Sequence, residues 1–224
     1  MPVTDQLPRT ALAGRTFAAV LFDLDGTLVD STAAVVRSWV TWAVEHDVDP
    51  VRLQGFHGVP SQQIVREVLG EERLPGALAR IDELELQDVD GVVVLPGASQ
   101  AIAAVPGGRA AIVTSCTRRL AAARIGASGL LAPQVVVTAD DVTRGKPDPE
   151  PFLLGAQRLG VAARACLVVE DAPSGLAAAR AAGMATLAVT TTTSRSELDA
   201  DLVVGTLEDV VFRAVPDGIQ VVAG

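Results

Sequence analysis

Apolar residues in this chain gather in short unbroken runs. Phe17–Asp23 reads FAAVLFD, an apolar run closed by an acid. Runs of this kind suit strands buried on both faces of a parallel sheet. Four more follow it: Arg109–Thr114 (RAAIVT), Gln134–Thr138 (QVVVT), Ala165–Glu170 (ACLVVE) and Met184–Val189 (MATLAV). Helical periodicity fills the intervals at Ala98–Val105, Arg118–Ile125, Pro149–Leu159 and Ala172–Ala182. Prolines open the third of these, where a missing N–H does no harm, and Gly183 follows the last as a helix-ending residue. Strand and helix in alternation predict an α/β fold, a doubly wound, Rossmann-like parallel sheet.

One stretch breaks that rhythm. From Thr32 to about Val93 no run reads as a buried strand. Ala33–Glu45, with Trp39 and Trp42, has helical spacing; so do Gln62–Leu69, with Ser61 as its cap, and Leu78–Leu86. The expected organisation is a flexible extension at 1–15, an α/β core made of 16–31 and 94–224, and an inserted helical cap at 32–93. Asp90-Gly91 and Pro96-Gly97 mark the return to the core.

Composition narrows the function. At 224 residues the chain holds one domain or a core with a modest insert, at roughly 150 residues per domain. With 27 Asp+Glu against 18 Lys+Arg, and 3% aromatic residues, it argues against nucleic-acid or anionic-membrane partners. Two cysteines, Cys116 and Cys166, do not make a disulfide framework and read as free thiols in a reducing compartment. With no signal peptide or membrane-length apolar run, a soluble cytoplasmic protein is expected, a monomer or weak dimer.

In open α/β sheets, ligands bind beyond the carboxyl ends of the strands. The polar residues expected there are Asp23-Leu24-Asp25-Gly26-Thr27, Thr114-Ser115, Arg144-Gly145-Lys146-Pro147 and Glu170-Asp171. Their four carboxylates would repel without a cation. All are hard oxygen donors with no Cys or His among them, so Mg2+ is expected rather than Zn2+. Lys146 and the hydroxyls beside such a metal suit a dianionic phosphoryl group. Asp23 and Asp25 start on one face of a strand, and leaving the strand at Gly26 lets them diverge.

DLDGT at Asp23–Thr27, Thr114 after its strand, Lys146 in GKP and Glu170-Asp171 in VVED together resemble the four motifs of the haloacid dehalogenase superfamily. The resemblance runs from Phe17 to about Val189, and the insert resembles the small helical cap of the beta-phosphoglucomutase-like branch. VEDAPSGLAAARAAGM at Val169–Met184 further resembles small sugar-phosphate phosphatases of that branch. The resemblance implies Asp23 as nucleophile, Asp25 as acid and base, and Thr114 and Lys146 on the phosphoryl oxygens. It places Mg2+ on Asp23, the Asp25 backbone carbonyl and Asp171, with Glu170 close by.

Dehalogenases and phosphonate-cleaving relatives lack an acid at the place of Asp25. Beta-phosphoglucomutases carry a His at the place of Val35, which favours hydrolysis here. The substrate should be a small phosphorylated sugar or polyol, met by Ser115, Arg118, His57, Gly58 and Glu85. Arg118 stands at a helix N-terminus, which favours anions. A phosphomutase is the alternative enzyme. A phospho-accepting regulatory domain of the receiver type is the alternative from another class, although receivers are about half this length and lack a cap.

Overall fold

The computed structural model describes residues 12–53 and 61–224. In chain order its strands and α-helices begin with β1 (Ala19–Phe22), β2 (Val29–Asp30), α1 (Thr32–Glu45), α2 (Ser61–Leu69), α3 (Leu74–Gln87) and β3 (Val93–Val94). There follow α4 (Ala98–Ala104), β4 (Ala110–Val113), α5 (Arg118–Ser128), β5 (Val135–Val137), α6 (Glu150–Arg158) and β6 (Cys166–Glu170). The chain closes with α7 (Pro173–Ala181), β7 (Ala185–Val189), β8 (Leu202–Val204), β9 (Val210–Val215) and β10 (Gly218–Ala223).

Six strands pair in the order β5-β4-β1-β6-β7-β8, all parallel. β1 is central because its four side chains, AVLF, are all fully buried and need cover on both faces. Successive side chains point to opposite faces. Val20 and Phe22 join one core with Ala98 of α4, Leu120 and Ala121 of α5, and Phe212 of β9. Ala19 and Leu21 join the other with Phe152 and Ala156 of α6 and Ala178 and Ala179 of α7. Helices on both faces make the sheet doubly wound, as its unbroken apolar strands require.

The short antiparallel pair β2–β3 closes the entry and exit of the helical stretch. α1, α2 and α3 carry their own apolar cluster around Trp42, Val65, Leu74, Ala77, Ile81 and Leu84. Trp42 is fully buried, its indole N–H donates to the Ala77 carbonyl at 2.8 Å, and Trp39 packs edge-on against it. No helix among the described residues is long and apolar enough to cross a membrane.

Several expectations need correction. Within the expected extension at 1–15, Leu12 is fully buried in the main core, while Ala13, Gly14 and Arg15 are exposed. α3 begins at Leu74, four residues before the periodicity suggests, because Pro75 fits the first turn rather than breaking it. Ser61 is the first residue of α2, not a flanking cap. The sheet gains β8, whose three residues are too short to stand out as a run. The β9–β10 hairpin turns at Pro216-Asp217, and Phe212 and Val221 from it enter the main core.

Candidate active site

The sheet places its acids where the strands end. Asp23 follows β1 and its amide hydrogen bonds to the Val169 carbonyl of β6 at 2.9 Å, which holds the two strand ends side by side. Glu170 ends β6 and Asp171 follows it. Carboxylate oxygens of Asp23, Glu170 and Asp171 all lie within 4.8 Å of one another, and all three residues are buried. Lys146 comes in from the loop between β5 and α6. Its buried ammonium donates to Asp23 Oδ1 at 2.6 Å and to Glu170 Oε1 at 2.7 Å.

Glycine makes this crowding possible. A Cβ on Gly26, which has φ +81°, would stand 2.1 Å from Asp171 Oδ2. A Cβ on Gly175 in α7 would stand 1.7 Å from Glu170 Oε1. Both positions therefore admit a carboxylate only because they lack a side chain.

The charges do not balance within the protein. Three buried carboxylates face one ammonium. Burial pushes Asp23 up, and Glu170 and Asp171 add to this against the opposing pull of Lys146. Burial and then the charge of Glu170 push Asp171 up to about 7, although Thr192 and Thr27 donate to it. Burial works against the Lys146 charge, but Asp23 and Glu170 outweigh it and raise its pKa. A hard divalent cation would relieve this excess of negative charge, and an all-oxygen donor set of this kind suits Mg2+.

Glu170 is committed elsewhere. Its Oε1 accepts from Lys146, and its Oε2 accepts from the backbone N–H groups of Asp171 and Ala172, both at 2.9 Å. Thr114 is buried at the end of β4, where its hydroxyl accepts from the Cys116 amide at 3.1 Å. Ser115 beside it is exposed.

Asp25 lies apart from the cluster. The sequence brings four carboxylates to one end of the sheet; among the described residues three converge, and the Asp25 side chain turns toward α5. Its Oδ1 accepts from Ser31 Oγ at 2.7 Å and pairs with Arg124 Nη1 at 2.9 Å. Its Oδ2 accepts from the Cys116 thiol at 3.0 Å. The same Arg124 nitrogen donates to Cys116 Sγ at 3.1 Å. Burial, and then the charge of Asp25, push the Cys116 thiol well above its ordinary range, so it stays protonated and able to donate.

Arg124 was not marked by the sequence, where it ends an unremarkable RRLAAAR helix pattern. Its only cue is position: α5 presents Leu120, Ala121 and Arg124 on one buried face. Glu85 of α3 is buried as well, with Oε1 at 3.6 Å from Arg124 Nη2. Burial raises Glu85 to about 7, against the pull of Arg124; Asp25 and Asp82 add to the rise, and a hydrogen bond from Trp39 opposes it.

Arg118 sits at the start of α5 as expected, but its side chain is turned to Asp141, at 2.7 Å, and is largely exposed. The Asp140 carboxylate accepts from its backbone N–H at 2.8 Å. Acids following β5 thus engage one backbone N–H at the start of α5 and the side chain of Arg118. His57 and Gly58 lie outside the described residues.

Comparison with known proteins bears on this geometry. The model of the family described as haloacid dehalogenase-like hydrolase matches residues 20–189. Hexitol phosphatase A of Escherichia coli (strain K12) is 40% identical over 208 residues, covering 88% of this chain and 95% of its own. The 2-deoxyglucose-6-phosphate phosphatase 1 of Saccharomyces cerevisiae is 33% identical over 233 residues, covering 90% of this chain and 93% of its own. Among solved structures, a hydrolase from Pseudomonas syringae superimposes with a TM-score of 0.74 at 25% identity, covering 85% of this chain and 94% of its own.

Proposed function

The chain belongs to the haloacid dehalogenase-like hydrolases, and on that premise we propose that it hydrolyses phosphate monoesters of small sugars or polyols through a phosphoryl group carried on Asp23. The observation that carries this reading is the contact of Lys146 with Asp23 at 2.6 Å inside a buried acidic cluster. A carboxylate nucleophile and a phosphate dianion repel, so a fixed ammonium beside the attacking oxygen lowers the barrier to their approach.

In the first half-reaction Asp23 attacks phosphorus. A bond forms from its carboxylate oxygen to phosphorus as the ester P–O bond breaks. The leaving alkoxide takes a proton from Asp25. In the second half, water bonds to phosphorus and gives a proton to Asp25, and the bond from Asp23 to phosphorus breaks. Inorganic phosphate leaves, and both aspartates return to their starting states. The Thr114 hydroxyl and Lys146 hold phosphoryl oxygens during both steps.

Mg2+ bound by Asp23, Asp171 and the Asp25 backbone carbonyl would supply charge neutralisation and polarise the phosphoryl group. The donors already directed at both oxygens of Glu170 fit it to fix Lys146 and the loop before α7 rather than to serve as a main ligand. The helices of 32–93 act as the cap over this site, and Glu85 reaches it from α3. Arg118 serves mainly to tie α5 to Asp141. A substrate contact from the exposed Ser115 remains part of this reading.

The test is phosphate release by purified protein with Mg2+ over a panel of hexose, deoxyhexose, hexitol and glycerol phosphates. Free phosphate in step with loss of ester supports the reading. Conversion of glucose 1-phosphate to glucose 6-phosphate faster than phosphate release, with a bisphosphate primer present, would replace it with a mutase.

A further inference from the structure

Arg124 is a buried cation with no place in the phosphoryl-transfer motifs, yet its partners lead into them. Its Nη1 touches Asp25 Oδ1 at 2.9 Å and Cys116 Sγ at 3.1 Å. Its Nη2 faces Glu85 Oε1 at 3.6 Å. Only 5% of the residue is exposed, so it belongs to the interior between α3 and α5 and not to the surface. A guanidinium removed from water in this way needs acceptors on more than one edge, and Asp25 and Glu85 supply them.

Seen from Asp25, three side chains donate to one carboxylate: Ser31 and Arg124 to Oδ1, and Cys116 to Oδ2. Ser31 stands just before α1, Cys116 just before α5 and Arg124 in the middle of α5, so donors from different elements fix the plane of the group. Asp25 itself lies just beyond β1, bridged to Val29 across the turn that starts at Gly26. A proton-transfer group has to be held to within a few tenths of an ångström and some tens of degrees of its working geometry, about 0.5 Å and 10–20°.

We propose that Arg124 is a positioning residue for Asp25, and that Glu85, reaching from α3 of the helical stretch, steadies Arg124 in that task. The inference rests on the reading of Asp25 as the acid and base of phosphate-ester hydrolysis. It gives the helical stretch a part in chemistry as well as in substrate choice: the chain Glu85–Arg124–Asp25 joins α3 to the proton-transfer group. Water attacking the phosphoryl group on Asp23 gives its proton to an oxygen whose direction Arg124 sets.

The experiment separates the two half-reactions with p-nitrophenyl phosphate. Its leaving group departs without a proton, so Asp25 is needed only when water attacks. Wild type, Asp25→Asn, Arg124→Ala, Arg124→Lys and Glu85→Gln are mixed with this ester and Mg2+ in a stopped-flow instrument, and with a hexitol phosphate in parallel. Asp25→Asn should release one burst of p-nitrophenolate and then stall. For Arg124→Ala the first-turnover rate on the aryl ester should stay within about threefold of wild type, while steady turnover falls about 10- to 100-fold. On the hexitol phosphate, formation of the phosphoryl-enzyme should fall too. Arg124→Lys should recover part of the loss, and Glu85→Gln should show the same split more weakly.

Burst and steady rates that fall together in Arg124→Ala would mean a general structural role and overturn the proposal. Unchanged or raised turnover would overturn it as well. If Arg124→Ala fails to fold by circular dichroism, Arg124→Lys and Glu85→Gln carry the test, and the absence of the split in both overturns the proposal. If Asp25→Asn itself does not stall, the assignment of Asp25 fails and this inference with it. If Asp25→Asn stalls and the Arg124 variants do not show the split, only this inference fails.

Discussion

Lys146 holds its ammonium 2.6 Å from Asp23 Oδ1 in the buried centre of the site. The pair joins the loop after β5 to the end of β1, which are far apart in sequence. Replacing Lys146 with Met would leave Asp23, Glu170 and Asp171 clustered without their cation. Turnover should fall by at least about 10²-fold, because a preorganised charge at the reacting oxygen is lost. Steady-state assay of Lys146→Met beside wild type checks this.

Removal of metal should stop the enzyme. The cluster carries more negative charge than Lys146 neutralises. Phosphate release should disappear in excess chelator and return on adding back Mg2+. Asp171→Asn should need more Mg2+ for half-maximal activity, read from a metal titration at fixed substrate. Full activity in chelator would contradict the metal assignment.

Gly175 gives a prediction of reversed sign. Gly→Ala inside a helix ordinarily stabilises, by about 0.8–1.0 kcal/mol. Here the added Cβ would stand 1.7 Å from Glu170 Oε1. Gly175→Ala should therefore destabilise, by about 1–3 kcal/mol, since the buried carboxylate must move. It should also lower activity by displacing Glu170 from Lys146. Denaturant unfolding and a kinetic assay of one preparation measure both effects.

Asp141 accepts from Arg118, Arg158 and both the amide and hydroxyl of Thr138. The hydrogen bond from Arg158 leads the causes that hold its carboxyl well below the ordinary range. A depressed folded-state pKa contributes stability that is present above the unfolded value, near 3.9, and lost as pH falls through the folded value. Asp141→Asn should lower the melting temperature by a few degrees at neutral pH. The gap to wild type should begin to narrow only below about pH 4 and close at stronger acid. A gap independent of pH would show that the charge is not what Asp141 contributes.

The strands that carry the site were legible because each is buried on both faces and reads as an unbroken apolar run. Their carboxyl ends then fix where Asp23, Thr114 and Glu170 stand. β8 was not legible: Leu202–Val204 is shorter than a run that periodicity can resolve. The β9–β10 hairpin did carry a signal, the Pro216-Asp217-Gly218 turn between stretches of mixed polarity.

Arg124 and Arg118 show the limit from opposite sides. Arg118 looks like an anion site because it opens a helix, yet Asp140 and Asp141 already hold its backbone and side chain. Arg124 looks like an ordinary helix residue, yet it is buried against Asp25 and Glu85. Which acceptor meets a given cation depends on packing between α3, α5 and the segment after β5. No local pattern records it. The divergence of Asp23 and Asp25 was readable from Gly26; the partner awaiting Asp25 was not.

The central claim is that Asp23 carries the phosphoryl group during hydrolysis, and trapping it there is the most direct test. Asp25→Asn should still form the intermediate from p-nitrophenyl phosphate but lose the group that takes the proton from water. After rapid acid quench and proteolysis, mass spectrometry should find one phosphoryl group per chain on the peptide containing residue 23. The Asp23→Asn, Asp25→Asn double variant should show none. A phosphoryl group on another residue, or phosphate release by Asp25→Asn at the wild-type rate with no trapped group, would contradict the account.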